Sequence, residues 1–219
     1  MKKTLFLLLF CCQSLVAQTP TDIRNPLFKL GTIIYKVDFM KADVHGPITS
    51  GSGFCTKIEK EGQNWRVYVL TANHVGKFME HKYGESSFDL NTQITVSKFY
   101  PVWETFVIDK FTKKVSDKDT CLLSYVTSRK PSDIPIPLAT EDPEPGDELV
   151  MFGCAEGRMP TIKLCNFVFK QDGKFYIAPH SKGGWSGSVV VNMAGECVGI
   201  VSLSNNNFTV LESLVKEKK

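Results

Sequence analysis

Three short segments carry residue types that together can break an acyl bond. Val67–His74 reads Val-Tyr-Val-Leu-Thr-Ala-Asn-His, a β-type run that stops at a histidine. Ser116–Leu123 reads Ser-Asp-Lys-Asp-Thr-Cys-Leu-Leu and sets Asp119 at the mouth of an apolar run. Gly183–Val190 reads Gly-Gly-Trp-Ser-Gly-Ser-Val-Val and puts Ser186 in a glycine-rich turn that enters another run. A serine hydroxyl is a weak nucleophile until a base takes its proton. The base needs a third group to orient it, and the oxyanion that forms needs N–H donors aimed at it. Taken singly, each segment has a plainer reading: Gly-x-Ser-Gly is also an ordinary turn, and a histidine or aspartate at a strand end is commonly structural. Taken together they supply nucleophile, base and orienting carboxylate.

Chain order narrows the chemistry. The four histidines, His45, His74, His81 and His180, all precede Ser186, which excludes the Ser, Asp, His order of α/β-hydrolases. The elements that must position the three residues are β-strands. Short apolar runs broken by turn residues cover Thr32–Phe39, Gly53–Ile58, Arg66–Thr71, Gln93–Phe99, Thr105–Ile108 and Cys121–Val126. Pro131, Pro135 and Pro137 then exclude a central strand and mark a connector. A second set follows at Glu148–Cys154, Thr161–Lys170, Lys174–Ala178, Ser188–Asn192, Cys197–Ser202 and Phe208–Val210, with turns at Asp172-Gly173 and Ala194-Gly195. Val210, Leu211, Leu214 and Val215 recur at helix spacing, so a short C-terminal helix is expected. The pattern predicts an all-β chain of six strands, a connector, six further strands and a short terminal helix, with His74 and Asp119 in the first half and Ser186 in the second.

The N-terminus has the form of a secretory signal over residues 1–17. Lys2 and Lys3 are the basic region, Leu5–Phe10 the apolar one, and Leu15-Val16-Ala17 the cleavage site. The apolar stretch is shorter than the roughly 20 residues that span a bilayer, so no stable membrane anchor is expected after cleavage, and the product is secreted or periplasmic. The net charge of +3 is scattered along the chain and does not point to nucleic acid. Five cysteines remain beyond residue 17: Cys55, Cys121, Cys154, Cys165 and Cys197. The number is odd, several lie in apolar runs, and no C-x-x-C pair occurs, so buried thiols are expected over a disulfide framework. No metal or cofactor is called for, and the oligomeric state is not legible.

From Thr32 to Val215 the chain resembles the trypsin-like (chymotrypsin-fold) serine peptidases, nearest in style to bacterial high-temperature-requirement-type domains. Gly51-Ser52-Gly53-Phe54 is similar to the family's Gly-Ser-Gly-Phe, and Leu70-Thr71-Ala72-Asn73-His74 to its Leu-Thr-Ala-Ala-His. Asp119-Thr120-Cys121-Leu122-Leu123 is similar to Asp-Leu-Ala-Leu-Leu, and Gly184-Trp185-Ser186-Gly187-Ser188 to Gly-Asn-Ser-Gly-Gly. The resemblance implies two six-stranded antiparallel β-barrels, residues 18–130 with His74 and Asp119 and residues 131–219 with Ser186 and the C-terminal helix, and an endopeptidase acting through an acyl-enzyme on a peptide or protein substrate. Ser186 is then the nucleophile, His74 the general base and acid, and Asp119 the group that fixes the imidazole tautomer, with an oxyanion hole from the N–H groups of Gly184 and Ser186. It also implies a substrate groove shaped by His180, Val201, Ser202, Leu203 and Ser204, with the Ser202 backbone and hydroxyl touching bound peptide. Trp185 stands where the family has a small or acidic residue. No Ile-Val-Gly-Gly stretch lies between Gln18 and Tyr35, so activation by a new N-terminus is not expected. The competing reading is a catalytically silent protein of the same fold that binds a peptide or partner protein in the groove.

Overall fold

The computed structural model describes residues 34–41, 45–75, 92–99, 102–112 and 118–215. The signal segment and the last four residues lie outside the described residues. Among the described residues no helix is long and apolar enough to cross a membrane.

The first half is a curled antiparallel sheet. Its strands are β1 (Ile34–Lys41), β2 (Pro47–Glu61), β3 (Asn64–Ala72), β4 (Thr92–Lys98), β5 (Glu104–Val107), β6 (Lys110–Thr112) and β7 (Thr120–Thr127), in the order β5-β4-β1-β2-β3-β7-β6. Six strands were expected, and the added one is β6. Three residues cannot display an alternating pattern, and only pairing with β7 (Lys110 with Ser124) defines it. Among the described residues the curl is not closed by strand pairing, because β5 and β6 are its edges.

The second half is a closed barrel of six strands: β8 (Glu148–Gly153), β9 (Thr161–Gln171), β10 (Lys174–Ala178), β11 (Val189–Val191), β12 (Cys197–Ser204) and β13 (Thr209–Ser213). The expected C-terminal helix is corrected here. Residues 209–213 are a strand, buried throughout, which pairs with both β10 and β12. Val210 and Leu211 do fall at helix spacing with Leu214, but a barrel closes only if this segment supplies hydrogen bonds on both edges, and that outweighs the local period. The all-β architecture and the Asp172-Gly173 hairpin agree with the expectation.

Apolar residues of the two halves share one cluster. Val37, Phe54, Val69 and Leu123 of the first sheet join Val150, Phe152, Val189 and Ile200 of the barrel. The connector is tied down by a buried ion pair. Asp133 accepts from Lys98 Nζ at 2.8 Å and from Tyr35 Oη at 2.9 Å. Both charged side chains are almost wholly buried, so loss of either partner leaves an uncompensated charge and costs about 3–5 kcal/mol. The five cysteines are free and buried. Burial pushes their thiols up to about 12, which leaves them protonated and inert.

Candidate active site

Strand register brings the first two residues together. β3 and β7 pair antiparallel through Ala72 with Thr120, so the residues that follow β3 lie beside those that precede β7. Asn73–Val75 form one helical turn there, and Asn73 N donates to Asp119 O at 3.2 Å. His74 is then held twice by one carboxylate. Its backbone N–H donates to Asp119 Oδ1 at 2.9 Å, and Nδ1 lies 2.6 Å from Oδ2. Ser202 on β12 adds a third bond, Oγ to Asp119 Oδ2 at 2.7 Å.

Burial alone would raise the Asp119 carboxyl. The hydrogen bonds from His74 and Ser202 outweigh it and bring the group down to about 2. An ionised carboxylate only accepts, so the Nδ1 that faces it carries the proton and Nε2 keeps its lone pair. Nε2 lies 2.8 Å from Ser186 Oγ. The hydroxyl of Ser186 therefore faces an acceptor on a ring whose tautomer is already chosen.

The turn that presents Ser186 is bound at every carbonyl. Gly183 O accepts from Glu156 N at 2.8 Å, Gly184 O from Ser52 Oγ at 3.0 Å, Trp185 O from Ser188 N at 2.8 Å and Ser186 O from Ser52 N at 2.7 Å. In a trans peptide the N–H points opposite to the C=O. With the Gly183 carbonyl turned to Glu156, the Gly184 N–H is turned the other way. Among the described residues neither the Gly184 nor the Ser186 N–H has an acceptor. Two positions demand glycine. Gly184 has φ +84°, and a Cβ there would overlap Glu156 N; Gly187 has φ +82°, and a Cβ there would overlap Ser52 O.

Trp185 does not crowd this turn. Its side chain is 6% exposed and packs in the barrel core with Leu149, Phe167, Ile177 and Val201. A large apolar side chain thus anchors the turn from within.

The expected groove residues fare differently. Ser202 is buried, and its hydroxyl donates to Asp119, a bond that steadies the carboxylate. The Val201 side chain is in the core, its N–H donates to Ser188 O, and its carbonyl accepts from Gly187 N. Leu203 and Ser204 are exposed, with Ser204 Oγ donating to Ser181 O at 2.6 Å. His180 is exposed, and its carbonyl accepts from Lys163 Nζ at 2.6 Å. Sequence reasoning missed Ser52, Glu156 and Lys163. The only signal for Ser52 was its place in the Gly51-Ser52-Gly53 run, and Glu156 acts through its backbone, which no residue type announces.

No family model matches the sequence, and no curated protein does. Solved structures do match. Deg5 superposes with a TM-score of 0.68 at 15% identity, over 89% of this chain and 90% of that one. The Rv3671c protease from M. tuberculosis in its active form gives 0.64 at 14% identity, over 90% and 82%. The serine endoprotease from Yersinia pestis gives 0.62 at 17% identity, over 90% of this chain and 64% of that one. These neighbours are trypsin-like proteases of the Deg/HtrA type, and the likeness establishes that this chain has the trypsin-like fold.

Proposed function

We propose that the chain is an exported serine endopeptidase with Ser186, His74 and Asp119 as its triad. The observation that carries the reading is the unbroken chain of contacts from Asp119 Oδ2 to His74 Nδ1 at 2.6 Å and from His74 Nε2 to Ser186 Oγ at 2.8 Å. Ser186 Oγ attacks the scissile carbonyl while Nε2 takes its proton. The oxyanion is met by the N–H groups of Gly184 and Ser186, the imidazolium returns the proton to the leaving amine, and water then hydrolyses the acyl-enzyme by the same steps. Asp119 stays ionised and stabilises the imidazolium as it forms. An extended peptide lies along Leu203 and Ser204, the exposed end of β12.

Trp185, a bulky residue beside the nucleophile where the family has a small or acidic one, is the departure that favours the silent alternative. The burial of that indole in the barrel core removes the steric reason for a distorted turn. The test is fluorophosphonate labelling and peptide hydrolysis by the chain from residue 18 onward, with an N-terminal tag left in place. Labelling of the parent is expected, and Ser186→Ala should lose both labelling and hydrolysis at an unchanged melting temperature. Hydrolysis by Ser186→Ala at the parent's rate would sink the triad, and labelling that needs removal of the tag would sink the account of a turn formed without a free N-terminus.

A further inference from the structure

We infer that Ser52 is a positioning residue for the oxyanion turn: its hydroxyl and its backbone N–H, both from β2 of the first half, hold the turn that carries Ser186 in the second. This rests on the peptidase reading above. Ser52 is fully buried. Its Oγ accepts from Cys154 N at 2.7 Å and donates to Gly184 O at 3.0 Å. Its N–H donates to Ser186 O at 2.7 Å, and its carbonyl accepts from Thr71 Oγ1 at 2.7 Å. One residue therefore binds the carbonyls on both sides of Trp185, while Thr71, three residues before His74, fixes Ser52 in turn.

The direction of the hydroxyl is determined by its neighbours. Cys154 N can only donate to it, so the single Ser52 proton is left for Gly184 O, which can only accept. Such a relay holds the Gly184-Trp185 peptide in one orientation, and the two peptides that flank it carry the N–H groups aimed at the oxyanion. Glu156 N on Gly183 O clamps the first flanking peptide and Ser188 N on Trp185 O the second, while Ser52 N on Ser186 O holds the peptide that follows Ser186. Ser52→Ala keeps these backbone bonds but leaves Cys154 N–H and Gly184 O buried without partners. The relief is for the Gly184-Trp185 peptide to rotate, which tilts the two peptides beside it and spoils the hole while the reacting side chains stay in place. Ser52 never touches substrate and acts through the geometry of Gly184.

This separates Ser52 from a residue that merely stabilises the fold. Removal of a full oxyanion donor lowers turnover by about 10²–10³-fold; loosening one donor should therefore lower kcat by about 10–100-fold. KM should stay within about twofold, because the donors act mainly on the transition state. Affinity for a peptide boronic acid, which forms the tetrahedral adduct on Ser186, should fall with kcat. Affinity for an uncleavable peptide of the same sequence should not. Ser52→Cys, with a weak donor in the same place, should fall between parent and Ser52→Ala, and it carries the test if Ser52→Ala does not fold. A Ser52→Ala chain with kcat within twofold of the parent overturns the assignment, as does equal loss of boronate and uncleavable-peptide affinity. A parent chain that neither labels nor hydrolyses any peptide overturns the peptidase reading, and the assignment falls with it.

Discussion

Asp119→Asn isolates the step on which the site depends. Asp119 accepts three hydrogen bonds, one at Oδ1 from the His74 backbone and two at Oδ2 from His74 Nδ1 and Ser202 Oγ. An amide can keep its oxygen toward only one side. With its NH2 at the Oδ1 position it would oppose a backbone N–H that cannot change its character. It therefore settles with NH2 at the Oδ2 position, where Nδ1 must become the acceptor. The ring proton moves to Nε2, and the ring can no longer take the proton of Ser186. The expected loss is about 10⁴-fold in kcat, or about 5 kcal/mol of barrier. The stability effect is smaller. The carboxyl is held at about 2 against an ordinary 3.8, which contributes at most about 2 kcal/mol at neutral pH. Because the folded value is depressed, that contribution is complete above the ordinary value and is lost only as the pH falls toward 2. The variant should thus melt about 4–8 °C lower at pH 7 and lie closer to its parent at pH 2–3. Peptide hydrolysis measured beside calorimetric melting separates the two effects. A loss in kcat below tenfold, with the fold intact, would refute the tautomer argument and move the orienting role away from Asp119.

Ser202→Ala removes one of two donors to Oδ2 and should raise the Asp119 carboxyl and lower kcat/KM by about tenfold, in line with a bond to a charged group; an unchanged value would show that His74 alone sets the carboxylate. With its carboxyl at about 2, Asp119 should add no step to the pH–activity profile between pH 5 and 8, so Asp119→Asn should change the height of that profile and not its shape. A step in that range that disappears in the variant would show that the carboxyl titrates there. Trp185→Ala should cost about 3–5 kcal/mol in denaturant unfolding, as for other buried large aromatics. Its folded fraction should also label more slowly, because the turn loses its anchor; labelling at the parent's rate would show that the hydrogen bonds suffice.

The local chemistry was legible without coordinates. Strand-length apolar runs, the turn at Asp172-Gly173, and a histidine, an aspartate and a serine each at the end of a run follow from residue type and short-range spacing alone. The five buried thiols were also within reach, since cysteine in an apolar run behaves as a small hydrophobe. What the sequence could not carry is pairing over long range. The spacing of Val210, Leu211 and Leu214 suits a helix, and only β10 and β12, which need an edge to close the barrel, make residues 209–213 a strand. β6 exists only because β7 pairs with it. Ser202 reads as a groove residue until the tertiary structure brings Asp119 to 2.7 Å from its hydroxyl. Trp185 reads as an obstacle beside the nucleophile until the barrel interior is seen to receive it. By itself the sequence determined which groups are present to react and that strands deliver them. The tertiary structure decided which backbone and hydroxyl groups hold them, because one hydrogen bond can join residues 132 positions apart, as Ser52 Oγ joins Gly184 O, and no local pattern encodes that meeting.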